Sequence, residues 1–333
     1  MPAASSTADA GARRALASWP VPAAWRALPA SGWQVSYADG SYDRHGGPSP
    51  AFVFHVKDRA VWRRLLDAGV YSAAMAFVRG DLEAEGDLPE AVRWSASACR
   101  GGWRARLWGW RAAAGPPRLE TWFQTRARAA RNIRLHYGRS RDFYAQFLDR
   151  RMVYSCAYFA SPAMTLDEAQ EAKLDLICRK LDLRRGESFF DIGCGWGALL
   201  EHAAARYGAQ ASGCTLSAEQ AAYARRRLAS CGAQVLEADF RDCTGQFAKI
   251  ASVGMFEHVG RRRLRGYFAK AADLLEPGGL FLNHGIVRPA TARDDAQTLF
   301  IQRQVFPGGE IPPLAGAIRA AEQAGPANPD PPG

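Results

Sequence analysis

The sequence predicts an α/β protein: a doubly wound parallel sheet in the second half, preceded by a smaller α+β domain. Three observations lead there. A short apolar strand runs into a glycine-rich turn and a helix between Ser188 and Tyr207. Strand-like and helix-like segments then alternate as far as Ile286. The charge divides unevenly: residues 1–150 hold 22 Lys/Arg and 13 Asp/Glu, and residues 151–333 hold 21 and 20. Alternating βα units imply a parallel sheet with helices on both faces. The charge split marks two objects of different surface chemistry.

In chain order, Ala51–Val56 alternates like a strand and Val61–Met75 reads as a helix. Phe77–Glu85 reads as strand, turn and strand, and Leu88–Ala98 as a helix. The stretch GDLEAEGDLPEAVRW (Gly80–Trp94) resembles the end of sterol-carrier-like lipid-binding domains. Residues 93–151 then carry 14 Arg and 3 acids, with Trp94, Trp103, Trp108, Trp110 and Trp122 among them. Guanidinium pairs with phosphate and indole settles at headgroup depth, so this segment suits an anionic membrane surface. Single-stranded nucleic acid stacking on Trp and a solvated helical connector are the other readings.

The second half carries the chemistry. Ser188–Ile192 is a strand, followed by Gly193-Cys194-Gly195-Trp196-Gly197 and the helix Ala198–Tyr207. The spacing is G-x-G-x-G, not the G-x-G-x-x-G of dinucleotide binders, so a cofactor without phosphates is expected. S-adenosylmethionine (SAM) is the candidate. Further strands are read at Gln210–Cys214, Gln234–Ala238, Lys249–Val253 and Leu280–Ile286. Helices are read at Ser217–Ser230, capped by Ser217, and at Arg261–Leu275, with Glu276–Gly279 as a turn. Ligands of such sheets sit beyond the carboxyl ends of the strands. Asp191, Thr215, Asp239, Glu257 and His284 all fall at or just after those ends.

Composition bounds the rest. An apolar content of 48% and a charged content of 23% belong to a globular chain. No apolar run approaches the ~20 residues of a membrane span, and no secretory signal is visible. Seven cysteines without a CxxC pair suit free thiols in a reducing cytoplasm. No His/Cys/Asp cluster has metal spacing, so no metal is expected. His136, His202 and His258 read as structural.

Several stretches in order resemble the cyclopropane-fatty-acid synthase family of SAM-dependent methyltransferases. They are YSCAYF (Tyr154–Phe159), DEAQEAKLDLICRKLDL (Asp167–Leu183), FDIGCGWGALL (Phe190–Leu200), GCTLSAEQ (Gly213–Gln220), DFRD (Asp239–Asp242), SVGMFEHVG (Ser252–Gly260) and VFPGGEIPPL (Val305–Leu314). The resemblance runs from about Asn132 to Gly325. It implies a class I SAM-methyltransferase fold over 125–325, after an N-terminal domain at 1–120 and before a Pro-rich tail at 326–333. It implies that Tyr154 and Ser155 close over the methionine part of SAM and that Gly193, Gly195 and Gly197 form the floor, with Asp191 a cofactor-binding acceptor at the strand end. Thr215, Leu216 and Gln220 would hold ribose and adenosine, and Asp239 and Phe240 would flank the adenine. Cys156, Glu257, His284 and Ile286 would cradle a bicarbonate ion, and Tyr158, Phe159 and Phe256 would line an acyl tunnel.

The activity so implied is conversion of a cis double bond in a phospholipid acyl chain to a cyclopropane, by a cytoplasmic enzyme attached peripherally to the membrane. Alternatives are C-methylation without ring closure, or a non-catalytic lipid-binding paralogue. Nucleic acid is not an expected partner, and a homodimer is left open. Two departures stand out. The family's HYDxGNDFY reads HYGRSRDFY here (His136–Tyr144), and the chain reads PANPDPPG where the family continues into its last strands. The expectation is a sheet without those strands, with reduced stability and impaired activity.

Overall fold

In a computed structural model, the structure describes residues 32–47, 49–98, 140–291 and 309–325, with the single residues 300 and 304. Most of the basic segment at 99–139 and the tail at 326–333 lie outside the described residues. The chain divides into two compact units.

The first unit is a four-stranded sheet with two helices. The strands are β1 (Trp33–Tyr37), β2 (Tyr42–His45), β3 (Phe52–Val56) and β4 (Leu82–Gly86), in the order β2-β1-β3-β4. β1 and β3 run parallel, and the other pairs are antiparallel. Alternation puts Trp33, Val35 and Tyr37 of β1 and Phe52, Phe54 and Val56 of β3 inside. Helix α1 (Arg59–Arg79) starts on the Asp58 side chain and stops at Gly80, which is left-handed at φ +73°. Phe77–Arg79, read from the sequence as a strand, is the last turn of this helix. Helix α2 (Leu88–Ala98) delivers Trp94 to the core. Its ring centroid lies 4.5 Å from Trp33 and 5.8 Å from Phe54. Trp94 is therefore a core residue and not part of an interfacial Trp set; Trp103, Trp108, Trp110 and Trp122 lie outside the described residues.

The second unit opens with the short α3 (Arg141–Tyr144) and α4 (Leu166–Lys180). A full capping box starts α4: Thr165 and Glu168 satisfy each other's backbone N–H. The sheet holds β5 (Ser188–Ile192), β6 (Gln210–Thr215), β7 (Gln234–Glu237), β8 (Phe247–Val253) and β9 (Leu275–His284), in the order β7-β6-β5-β8-β9, all parallel. Helices α5 (Ala198–Tyr207), α6 (Ala218–Leu228) and α7 (Leu264–Asp273) connect the strands. α8 (Leu314–Glu322) adds Ala317 to the apolar cluster containing Phe268 and Ala271 of α7. The order reverses at β5, so the carboxyl ends of β5, β6 and β8 open the crevice such sheets use for ligands.

Two details differ from expectation. Glu276–Gly279 lies inside β9 as a bulge: Phe247 pairs Leu275 and Lys249 pairs Leu280. Arg261–Arg263 is a 3₁₀ turn, and the regular helix starts only at Leu264.

Candidate cofactor site

β5 is buried on both faces, with Phe189, Phe190 and Ile192 at 1% exposure or less. It ends in a turn that folds onto β6: Gly193 N and Cys194 N both donate to the Cys214 carbonyl, at 3.0 and 2.9 Å. Two glycines are required there. Gly193 sits at φ +85°, with Met255 Cγ 2.9 Å from where a Cβ would stand. Gly197, at φ +84°, begins α5 and meets Ala224 Cβ at 3.0 Å.

A cavity opens above this turn, with an empty volume of about 990 Å³ counting its mouth. One wall joins α4 to the strap 152–156 and carries Lys173, Tyr154 and Ser155. The floor is Asp191 and Gly193 to Trp196; the opposite wall is Thr215, Leu216, Gln220, Ala238 and Phe240. His258, read from the sequence as structural, also lines it.

Polar atoms in this cavity are arranged for a guest. Asp191 is 3% exposed, and its Oδ1 has no partner among the described residues. Burial pushes its carboxyl up to about 7, against the pull of Lys173. Thr215 Oγ1 donates to Gln220 Oε1 at 2.8 Å and accepts from Ser217 N at 3.3 Å, which turns the Gln220 amide into the site. Lys173, also buried, donates to Ser155 Oγ at 2.7 Å, and burial brings its ammonium down to about 8. Gln170 donates to the Ser155 carbonyl at 2.9 Å and to the Val153 carbonyl at 3.3 Å, so α4 pins the strap twice. The sequence reading missed Lys173 and Gln170. A signal was there: Lys173 lies four residues from both Ala169 and Ile177, on the buried face of α4.

Asp239 differs from the rest of the expected set. It forms a two-pronged ion pair with Arg241 (2.5 and 2.8 Å) and caps its own 3₁₀ turn. Phe240 lies in the cavity wall and Asp239 does not.

A second polar group lies where β8 and β9 end. Glu257 is 6% exposed, in the turn Phe256–His258 after β8. Its Oε1 accepts from Ile286 N at 2.6 Å, and its Oε2 is buried without a partner among the described residues. Burial pushes its carboxyl above the ordinary range, opposed by the Ile286 hydrogen bond. His284 Nδ1 is likewise buried and unpartnered; burial, then Lys173 and Lys180, lower its proton affinity. Gly285 allows the close approach: a Cβ there would stand 1.9 Å from the Phe256 ring and 3.0 Å from Glu257 Oε1. The Ile286 N–H is thus spent on Glu257 and not open to an ion. Cys156 is exposed, as are Tyr158 and Phe159, whereas Phe256 is packed in the core. No group of three or more His, Cys, Asp or Glu among the described residues could hold a metal ion.

The model of one protein family, mycolic acid cyclopropane synthetase, matches residues 124–326. The chain belongs to that family. These are SAM-dependent methyltransferases, and the second unit has their class I fold. A probable fatty acid methyltransferase of Pseudomonas putida is 40% identical over 283 residues, covering 81% of this chain and 68% of that protein. The cyclopropane-fatty-acyl-phospholipid synthase of Escherichia coli K12 is 41% identical over 187 residues; the match covers 56% of this chain and 48% of that protein. The chain thus matches about half the length of that relative. Among solved structures, the mycolic acid cyclopropane synthase CmaA1 complexed with SAH and CTAB superposes with a TM-score of 0.56 at 35% identity, covering 59% of this chain and 74% of that one.

Proposed function

We propose that this chain transfers the methyl carbon of SAM to a cis double bond of an unsaturated phospholipid acyl chain and closes it to a cyclopropane. The observation that carries the reading is the pairing of two sites on one sheet. A cavity with an unpartnered Asp191 lies at the end of β5, and buried, unpartnered Glu257 Oε2 and His284 Nδ1 lie at the ends of β8 and β9. SAM supplies an electrophilic methyl group, which a poor nucleophile such as an alkene requires.

The chain's own groups do the remainder. Asp191, Ser155 and Gly193 to Gly197 hold the polar end of the cofactor. Thr215, Leu216, Gln220 and Phe240 hold its adenosine. Methylation of the alkene leaves positive charge on the acyl chain, so the site must exclude water. Ring closure requires loss of one proton from the new methyl group. Glu257 Oε2, buried and held by Ile286 N at its other oxygen, is a fixed acceptor for that proton, and His284 ends the neighbouring strand β9 opposite Val253. With Cys156, Glu257 and His284 would hold the bicarbonate that the family resemblance implies, Glu257 Oε2 accepting from the bicarbonate O–H. A membrane-surface substrate agrees with the 14 Arg and 3 acids of residues 93–151. No described helix is long and apolar enough to cross a membrane.

The test is direct. The purified chain is incubated with SAM and vesicles of a monounsaturated phospholipid, and the released fatty acids are analysed. A gain of 14 Da with loss of the olefinic proton signals supports cyclopropane formation; unmodified acyl chains overturn it. One finding favours a second reading, the 40% identity to a probable fatty acid methyltransferase. Methylation without ring closure would also add 14 Da but keep an olefinic signal.

A further inference from the structure

Lys173 is a buried charge that this assignment of roles leaves over. It is 4% exposed, on the inner face of α4, and it lines the cofactor cavity. An ammonium has three donors, and among the described residues Lys173 uses one, on Ser155 Oγ. No carboxylate of the described residues lies within ion-pair distance of it. Asp191, Asp149 and Cys156 raise its proton affinity from further off, and burial outweighs them. A buried cation without a contacting anion costs free energy, and the chain keeps this one at the wall of the cofactor cavity. Across the floor stands Asp191, a buried carboxylate with a bare oxygen. An ammonium and a carboxylate that face one cavity without pairing each other are complementary to a zwitterion.

Resting on the SAM reading above, we propose that Lys173 recognises the α-carboxylate of the cofactor's amino-acid end. Ser155 is its fellow donor: its Oγ accepts from Lys173, so its own O–H points elsewhere and is free to meet the same carboxylate. Gln170 fixes the Ser155 backbone and keeps this pair in place. The opposite wall, Leu216, Gln220 and Phe240, is left for the adenosine.

The experiment compares two ligands on the full chain by calorimetry. S-adenosylhomocysteine has the amino-acid end; 5′-methylthioadenosine keeps the adenosine and thioether but lacks it. K173M should weaken S-adenosylhomocysteine by about 10- to 100-fold, the range of one charge-assisted hydrogen bond, and leave methylthioadenosine unchanged. K173R should recover part of the loss. Equal weakening of both ligands would mean that Lys173 only holds the strap, and unchanged S-adenosylhomocysteine binding would likewise overturn the proposal. A wild-type chain that binds neither ligand would sink the SAM reading itself, and this inference with it. A second readout is the proton balance of binding. Above about pH 8, S-adenosylhomocysteine should bind the unaltered chain with proton uptake beyond that of its own amino group, seen as a buffer-dependent enthalpy, and K173M without that excess. Asp191, Asp149, Cys156 and His284 also face this region, so the difference between the two chains, not the bare pH profile, carries the test.

Discussion

The two sheets of this chain use their polar groups in opposite ways. In the first unit, Trp33, Phe52, Phe54 and Trp94 fill one side, and polar side chains meet partners near the surface, as Tyr37 does with Asp43 at 2.7 Å and Arg44 with Gln34. In the second, the apolar core ends in Asp191, Glu257 and His284, each with a buried, unpartnered atom. Unpaired buried groups destabilise a fold, so their concentration along one edge of one sheet marks where stability yields to function. No carboxylate among the described residues of the first unit is buried with a bare oxygen.

Glu257→Gln should break the comparison most severely. It keeps the shape and the Ile286 hydrogen bond but removes the proton acceptor. Product formation should fall by about 10²- to 10⁴-fold, with S-adenosylhomocysteine affinity unchanged. Retained activity would move the proton transfer to another group. Trp94→Ala strikes the other sheet. It should cost that unit about 3–5 kcal/mol, read by chemical denaturation, and leave cofactor affinity within twofold. A matching loss of affinity would show that the two units do not work separately.

Gly285→Ala comes next. Its Cβ would overlap the Phe256 ring, 1.9 Å away, and crowd Glu257 Oε1. About 1–3 kcal/mol of stability should go, with a larger loss in turnover than in cofactor binding. Gly197→Ala should do the reverse, because its left-handed φ of +84° and its contact with Ala224 belong to the cofactor turn. It should cost about 1–2 kcal/mol and weaken S-adenosylhomocysteine.

How legible each sheet was in the sequence follows from the same contrast. The parallel strands of the second unit are short runs between turns, and four lie where the pattern put them; β9 starts five residues earlier, at Leu275, and ends two earlier, at His284. β2 has the sequence YDRH, an edge strand with no buried residue and therefore no hydrophobic signal. The end of α1 was misread because Phe77 and Val78 favour strands, whereas Gly80 as a C-cap decides the matter. Of the residues that line the cavity, Asp191 and Gly193 to Trp196 were legible from the strand–turn–helix pattern, and Phe240 from the family resemblance. Asp239 lies outside that lining and pairs locally with Arg241, two residues away. Lys173 was hidden by its type: a Lys on a helix is read as solvated unless its face is traced turn by turn.

The smallest effect expected is the most diagnostic of the contrast. Asp191 has its carboxyl raised to about 7 by burial, from an ordinary value near 4. Between those values the folded chain binds more protons than the unfolded one, so stability falls as pH rises from about 4 through 7. Asp191→Asn removes that slope and relieves a buried charge, at the expense of the attraction to Lys173. The net should be a gain of about 1 kcal/mol at pH 8, seen as a higher melting temperature, together with weaker S-adenosylhomocysteine binding. A variant that loses both stability and affinity would mean that Asp191 supports the fold. A variant that gains one and loses the other would mean that the edge of the second sheet is held in a costly state for the sake of its ligand.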